Sequence, residues 1–331
     1  MSRSRQALNR PRFDARPGGS RSPDLSVVVP LRNERESLAE LYGQIRRACE
    51  AARLRFEVVF VDDGSDDGSF AVLESLHRRD PRVRAIQFRR NMGKSEALSA
   101  GFSAAAGRFI VTLDADLQDD PAEIPALVQK LKEGYDLVSG WKRERRDPLS
   151  KRIPSKFFNR VTALVSGLGI HDFNCGLKIY RSEVARSVPI YGELHRYIPA
   201  LAKWEGFRVG ELPVHHRTRK YGKSKYGPSR FLYGFLDLLT VMFLSRYTRR
   251  PLHLFGAAGL VAAVAGSGIL VYLVVLRIAK VSYLSNRPIL FFGVLLLLLG
   301  IQFVSIGLLG EMIARANAPN RSYAVRRMLG D

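Results

Sequence analysis

The sequence predicts an α/β domain on a largely parallel sheet, followed by two helices that cross a membrane. Three observations predict it. Short apolar runs alternate with stretches of helical period between Leu25 and Ser139. Acidic residues gather just past the ends of those runs, at Glu34, Asp62 and Asp114, where open α/β sheets bind ligands. Two uncharged apolar runs, residues 254–276 and 288–310, lie near the C-terminus. Each is about 23 residues, enough at about 1.5 Å per residue to cross a hydrocarbon core of about 30 Å.

Taken in order, residues 1–24 carry Arg3, Arg5, Arg10, Arg12, Arg16 and Arg21 among Ser, Pro and Gly, with no apolar period and no signal-peptide h-region. They read as a disordered basic tail that can touch an anionic leaflet. Residues 25–30 form a β-rich run that stops at Pro30, and Leu38, Leu41, Ile45 and Ala48 then recur at helical spacing. A second run, 56–61, ends in Asp62-Asp63-Gly64-Ser65, and 83–88 is a third. Residues 94–106 read as a helix, and 109–113 as a fourth strand ending at Asp114. Pro121 opens a helix with Ile124, Leu127, Val128 and Leu131 on one face, and 137–139 is a fifth strand. Residues 231–245 are apolar but interrupted by Asp237, which suits a helix lying in the membrane interface.

Arg246, Arg249 and Arg250 precede the first span, and Arg315, Arg321, Arg326 and Arg327 follow the second, against Arg277, Lys280 and Arg287 between them. The positive-inside rule then puts the large domain and the C-terminus in the cytoplasm. Gly256, Gly259, Gly266 and Gly268 permit close helix packing and hence a homo-oligomer. The formal charge of +21, from 52 basic and 31 acidic side chains, calls for a polyanionic partner. No nucleic-acid-binding motif is present, so anionic lipid and phosphate-bearing substrates are the expected partners, not nucleic acid. Cys49 and Cys175 stand far apart, which excludes a disulfide framework and a cysteine zinc site.

Asp114, Asp116 and Gln118 alternate after a buried strand; on an extended segment they point the same way. Oxygen ligands of this kind suit Mg²⁺ or Mn²⁺, which bridge carboxylates and a diphosphate. Asp62 and Asp63 fit either hydrogen bonds to a base or ribose, or a plain turn and helix cap. Basic residues at 142–152 and 215–225 fit phosphates through charge-assisted hydrogen bonds. His215 and His216 have no third ligand at useful spacing for a metal.

Six segments in order then carry a resemblance: VVVPLRNE (27–34), VDDGSDDGS (61–69), NMGKSEALSAGF (91–102), LDADLQDDP (113–121), FNCGLKIYR (173–181) and RKYGKSKYG (219–227). Together they resemble glycosyltransferase family two in its polyprenyl-phosphate branch, which includes dolichyl-phosphate mannose synthases and bacterial undecaprenyl-phosphate sugar transferases. The resemblance implies a GT-A (Rossmann-like) catalytic domain over 25–227, an interfacial region over 228–250, a transmembrane hairpin over 251–314 and a cytoplasmic tail over 315–331. It implies a nucleotide pocket at Pro30, Glu34, Asp62, Asp63, Lys94 and Asp114, and a metal and diphosphate site at Asp114, Asp116 and Gln118. It places Lys142, Arg145, Arg152, Arg219, Ser224 and Lys225 around the donor diphosphate and acceptor phosphate, with Asp116, Arg145, Arg219 and Lys225 in the catalytic role. Arg32 stands where the family often has an aromatic or small residue, which bears on donor choice. The implied reaction moves one sugar, with inversion, from a UDP- or GDP-linked donor to undecaprenyl or another polyprenyl phosphate, at the cytoplasmic face of the inner membrane. The Q-x-x-R-W motif of processive synthases is missing; Glu193-Leu194-His195-Arg196 occupies the comparable stretch. The alternative reading is a non-enzymatic membrane scaffold derived from a transferase.

Overall fold

A computed structural model describes residues 22–143, 159–164, 166–188, 190, 192, 194–218, 220–221, 251–279 and 288–316. Among the described residues, seven strands form one sheet in the order β3-β2-β1-β4-β6-β5-β7. All five strands expected from sequence are present: β1 (Leu25–Leu31), β2 (Phe56–Asp62), β3 (Val83–Gln87), β4 (Phe109–Thr112) and β5 (Leu137–Trp141). Two more follow, β6 (Lys178–Arg181) and β7 (Val209–Pro213). β1 pairs in parallel with β2 and β4, β2 with β3, and β5 with β7. β6 runs antiparallel to both β4 and β5, so the sheet is mixed where a largely parallel one was expected.

Every residue of β1 and β2 is buried, as expected of central strands covered on both faces. One face carries α1 (Leu38–Ala51), whose buried Leu38, Leu41, Tyr42, Ile45 and Cys49 keep the helical period, together with α4 (Ile124–Lys132). The other carries α3 (Lys94–Ala104), α5 (Ser182–Ser187) and α6 (Ile198–Trp204), packed on Val28, Val59 and Tyr180. α2 (Ser69–Arg79) flanks the β3 edge. The helix expected from Pro121 begins as a short 3-10 turn, Pro121–Glu123, with the Asp120 side chain accepting the Ala122 N–H at 2.9 Å.

β2 also holds a charge inside the sheet. Glu57 is fully buried; its Oε1 accepts Ser26 Oγ at 2.6 Å and the Ala106 N–H at 2.7 Å, and Arg84 pairs with Oε2 at 3.0 Å. Burial works against its charge, but these partners outweigh it and hold the carboxyl below the usual glutamate range. Glu57→Ala is expected to cost about 3 kcal/mol, because three polar groups lose their acceptor. A depressed carboxyl stabilises the fold above its unfolded value of about 4.3 and loses that contribution as pH falls. Urea unfolding at pH 7 and pH 4 measures both effects, and Glu57→Gln should flatten the acid limb.

The C-terminal unit is a pair of long helices, α7 (Pro251–Ile278) and α8 (Pro288–Ala316). Both are long and apolar enough to cross a membrane, and large side chains such as Val261, Val271, Phe291, Leu298 and Ile306 face outward. Glycines let the two backbones touch. A Cβ on Gly300 would lie 2.6 Å from Ala263 N and Gly259 O, and one on Gly266 would lie 2.6 Å from Leu297 N. Gly259 and Gly266 are thus used inside the pair, whereas a Cβ on Gly268 meets nothing within 4 Å. Gly300→Leu should lower stability in detergent by about 2 kcal/mol through overpacking, and Gly268→Leu should be neutral. Thermal unfolding of the two variants side by side checks this. The expected interfacial helix at 231–245 and most of the basic tail lie outside the described residues; Asp24, at the end of that tail, is hydrogen-bonded to Arg55 in a bidentate pair.

Candidate active site

The site forms where β1, β2, β4 and β5 end. After β1 and β2 the chain makes two turns that tie to each other. Asn33, in the left-handed region at φ 51°, accepts the Asp66 N–H and donates to Asp66 Oδ1 at 2.7 Å. The Asn33 N–H donates to Ser65 Oγ at 2.9 Å, and the Glu34 N–H donates to Ser69 Oγ at 3.1 Å. Pro30 is buried at the end of β1, and Glu34 is half-buried beside these turns.

Asp62 and Asp63 are committed inside the protein. Asp62 is fully buried and accepts the Ser65 N–H at 2.9 Å and Ser65 Oγ at 2.5 Å. Asp63 accepts the N–H groups of Met92 at 2.6 Å and Gly93 at 3.0 Å. Together they build the turns that lead to Lys94, the turn role that the sequence had left open beside base recognition.

The acidic segment after β4 is a tight turn, not the extended strand from which its convergence was argued. Leu117 takes φ 61°, and Asp116 Oδ1 accepts the Gln118 N–H at 3.1 Å. The turn leaves Asp114, Asp116 and Gln118 half-buried and drives Ala115, Leu117 and Asp119 inward. Lys94, the first residue of α3, reaches Asp114 Oδ1 at 2.5 Å. Burial works against the Asp114 charge, but Lys94, backed by Lys142 and Lys178, holds the carboxyl at about 2.

Asp119 carries more than its neighbours showed in the sequence. It is 1% exposed, and Lys142 from the end of β5 pairs with its Oδ1 at 2.9 Å. Burial opposes the Lys142 charge, but Asp119 keeps the ammonium above the ordinary lysine range. Asp119 Oδ2 has no hydrogen-bond partner among the described residues. A Cβ on Gly176 would fall 2.8 Å from that oxygen and 2.8 Å from Asp114 Oδ2, so two carboxylates press on the space one glycine leaves open. An unpartnered, buried carboxylate oxygen is costly unless something positive meets it. Asp114, Asp116 and Gln118 share this turn, and oxygen donors of this kind suit a hard divalent cation. Among the described residues no three His, Cys, Asp or Glu side chains are gathered so as to hold a metal by themselves, so a cation at this turn would need further oxygens, such as those of a diphosphate.

The strap after β7 holds the turn from outside. Arg217 donates its N–H to Gln118 O at 2.9 Å, and its guanidinium meets Asp120 and, at 2.8 Å, Gln44 of α1. Lys220 pairs with Glu40 at 2.8 Å. Of the expected phosphate-binding residues, Lys142 is 13% exposed and turned to Asp119. Arg145, Arg152, Arg219, Ser224 and Lys225 lie outside the described residues. Asp119, Gly176 and Lys178 were not singled out as site residues from sequence, although LQDDP and NCGLK contain them, and Arg217, read there as part of a phosphate-binding run, instead meets Asp120 and Gln44. Lys178 on β6 is buried, its ammonium donating to Cys175 O, and burial pushes it below the ordinary lysine range.

The glycosyl transferase family 2 model matches residues 26–188. The dodecaprenyl-phosphate galacturonate synthase of Rhizobium johnstonii is 39% identical over 318 residues, covering 94% of each chain. The mannosyl-3-phosphoglycerate synthase structure from Rubrobacter xylanophilus superposes with a TM-score of 0.54 at 17% identity, over 67% of this chain and 74% of that one. The Mycobacterium tuberculosis glucosyl-3-phosphoglycerate synthase, in complex with Mn²⁺, UDP-glucose and phosphoglyceric acid, gives 0.53 at 18% identity, over 66% and 80%. At these identities the solved structures establish a shared GT-A fold.

Proposed function

The chain belongs to glycosyl transferase family 2, and from that membership we propose that it moves one sugar from a nucleotide sugar to a polyprenyl phosphate at a membrane surface. The observation that carries the reading is the acidic turn, with Asp114 and Asp119 facing the gap at Gly176 and Lys94 held against Asp114. Likeness over 94% of its length to a dodecaprenyl-phosphate galacturonate synthase supports the acceptor, and the two apolar helices suit a lipid substrate.

In this reading a phosphate oxygen of the lipid attacks the anomeric carbon from the face opposite the nucleotide. The new C–O bond forms as the bond to the nucleoside diphosphate breaks, its electron pair leaves with the diphosphate, and the configuration inverts. The acceptor phosphate is already anionic near pH 7, so positioning and charge do most of the work. Asp114, Asp116 and Gln118 would hold a divalent cation, Mg²⁺ or Mn²⁺, which when bound offsets the charge gathering on the diphosphate. A Mn²⁺-bound neighbour of the same fold supports that assignment. Lys94 holds Asp114 through Oδ1, while Asp62 and Asp63 shape the pocket by holding its turns. Arg145, Arg152, Arg219 and Lys225 supply positive charge for the diphosphate and the lipid phosphate, and Ser224 a hydroxyl donor. The basic flanks of the helices support a catalytic domain on the cytoplasmic side, at the inner membrane.

The test is transfer by the purified full chain with undecaprenyl phosphate, Mn²⁺ or Mg²⁺, and labelled UDP-galacturonate, UDP-glucose, UDP-N-acetylglucosamine and GDP-mannose. Label entering the lipid phase with one donor, and stopping with EDTA, is the expected result. No lipid product with any donor, from folded protein that still binds nucleotide, would overturn the acceptor assignment.

A further inference from the structure

The first turn of α3 holds a second side chain besides Lys94. Ser95 is fully buried, and its Oγ accepts the backbone N–H of His195 at 3.3 Å while lying 3.1 Å from the Nδ1 of the same residue. A hydroxyl that accepts one N–H keeps its own proton for another acceptor. With Ser95 donating to Nδ1, the arrangement the proposal below adopts, the ring carries its proton on Nε2. Burial, with the positive charges of Lys94, Arg196 and Lys178, pushes the imidazole well below the usual histidine range, against Asp114 pulling the other way. The ring is neutral.

The segment bearing it is tied down on both sides. Gly192 donates its N–H to Glu96 Oε1 at 3.3 Å, and Leu194 and Tyr197 are buried. The ring itself is half-buried, and among the described residues nothing accepts from Nε2. An imidazole held by Ser95 through Nδ1, with Nε2–H unmatched among the described residues, is arranged to meet an oxygen that arrives with a ligand.

We propose that His195 contacts the donor substrate, its Nε2–H donating to an oxygen of the nucleotide sugar, on the sugar or on the adjoining phosphate. This rests on the reading given under Proposed function. It adds a substrate-binding group from a stretch to which the sequence had assigned no role.

The side-chain amides of Asn and Gln separate the two ring nitrogens, because Asn reaches the place of Nδ1 and Gln that of Nε2. His195→Asn keeps the link to Ser95 and should keep the thermal midpoint, while raising KM for the nucleotide sugar about tenfold or more. His195→Gln should stay within about threefold of wild type. Calorimetric titration with UDP and with UDP-galacturonate locates the oxygen: affinity lost for both places it on the phosphate, and affinity lost only for the sugar nucleotide places it on the sugar. Ring ¹⁵N shifts of the histidine-labelled full chain in nanodiscs should show a bare Nδ1 and a protonated Nε2 at pH 7. The opposite tautomer, an imidazolium, or a native-like His195→Asn beside an impaired His195→Gln would overturn the proposal. A wild-type chain that binds no nucleotide sugar overturns the functional reading as well; a transferring wild type with the Asn and Gln order reversed overturns the role of His195 alone.

Discussion

Asp116→Asn is expected to lower sugar transfer by about 10³-fold while leaving the fold intact. The substitution is nearly isosteric. Asn keeps an Oδ1 that can accept the Gln118 N–H, the hydrogen bond that closes the acidic turn at 3.1 Å. What it removes is one negative charge from the set proposed to hold the divalent cation. Transfer into undecaprenyl phosphate, measured beside a thermal melt, separates the two effects. Unchanged melting with activity nearly gone is the expected pair, and Mn²⁺ affinity should drop with it. Near-normal transfer would remove Asp116 from the metal site and with it the reason for reading this turn as catalytic.

Gly176→Ala should be nearly as damaging, by about 10²-fold, although it adds a single methyl group. That methyl would sit 2.8 Å from Asp114 Oδ2 and from Asp119 Oδ2. Asp119 has nowhere to go, being 1% exposed and paired with Lys142. Asp114 can yield, but only by leaving Lys94. The expected signature is weakened Mn²⁺ binding together with a stability loss of about 1–3 kcal/mol. Gly169→Ala, where a Cβ meets nothing within 4 Å, is the control. A Gly176→Ala enzyme with full activity and unchanged Mn²⁺ affinity would show that the two carboxylates do not act together.

The sequence alone determined the elements whose signals are local. Five strands, the alternating helices and two membrane-length helices follow from apolar period and length, because burial of β1 and β2 on both faces demands continuous apolar runs. The acidic residues after β2 and β4 were legible as a candidate site in the same way, since each group closes an apolar strand, but the turn at Leu117 was not. β6 and β7 escaped. β6 is four residues with a charged residue at each end, and its place between β4 and β5 depends on pairings far apart in the chain. β7 is a partly exposed edge strand ending in Pro213.

Only the tertiary structure decided what the site residues touch. The alternation argument brought Asp114, Asp116 and Gln118 together for a reason the turn at Leu117 replaces. Lys142 reads in sequence as one more basic residue of a charge run; in the fold it neutralises a buried aspartate. Gly176 reads as a small residue, yet it is the space two carboxylates share. Ser95 and His195 stand 100 positions apart and meet across the first turn of α3. Periodicity is set by neighbours along the chain and can be read there. The burial of a charge, its partner and the room left beside it are set by neighbours in space, which a single sequence does not specify.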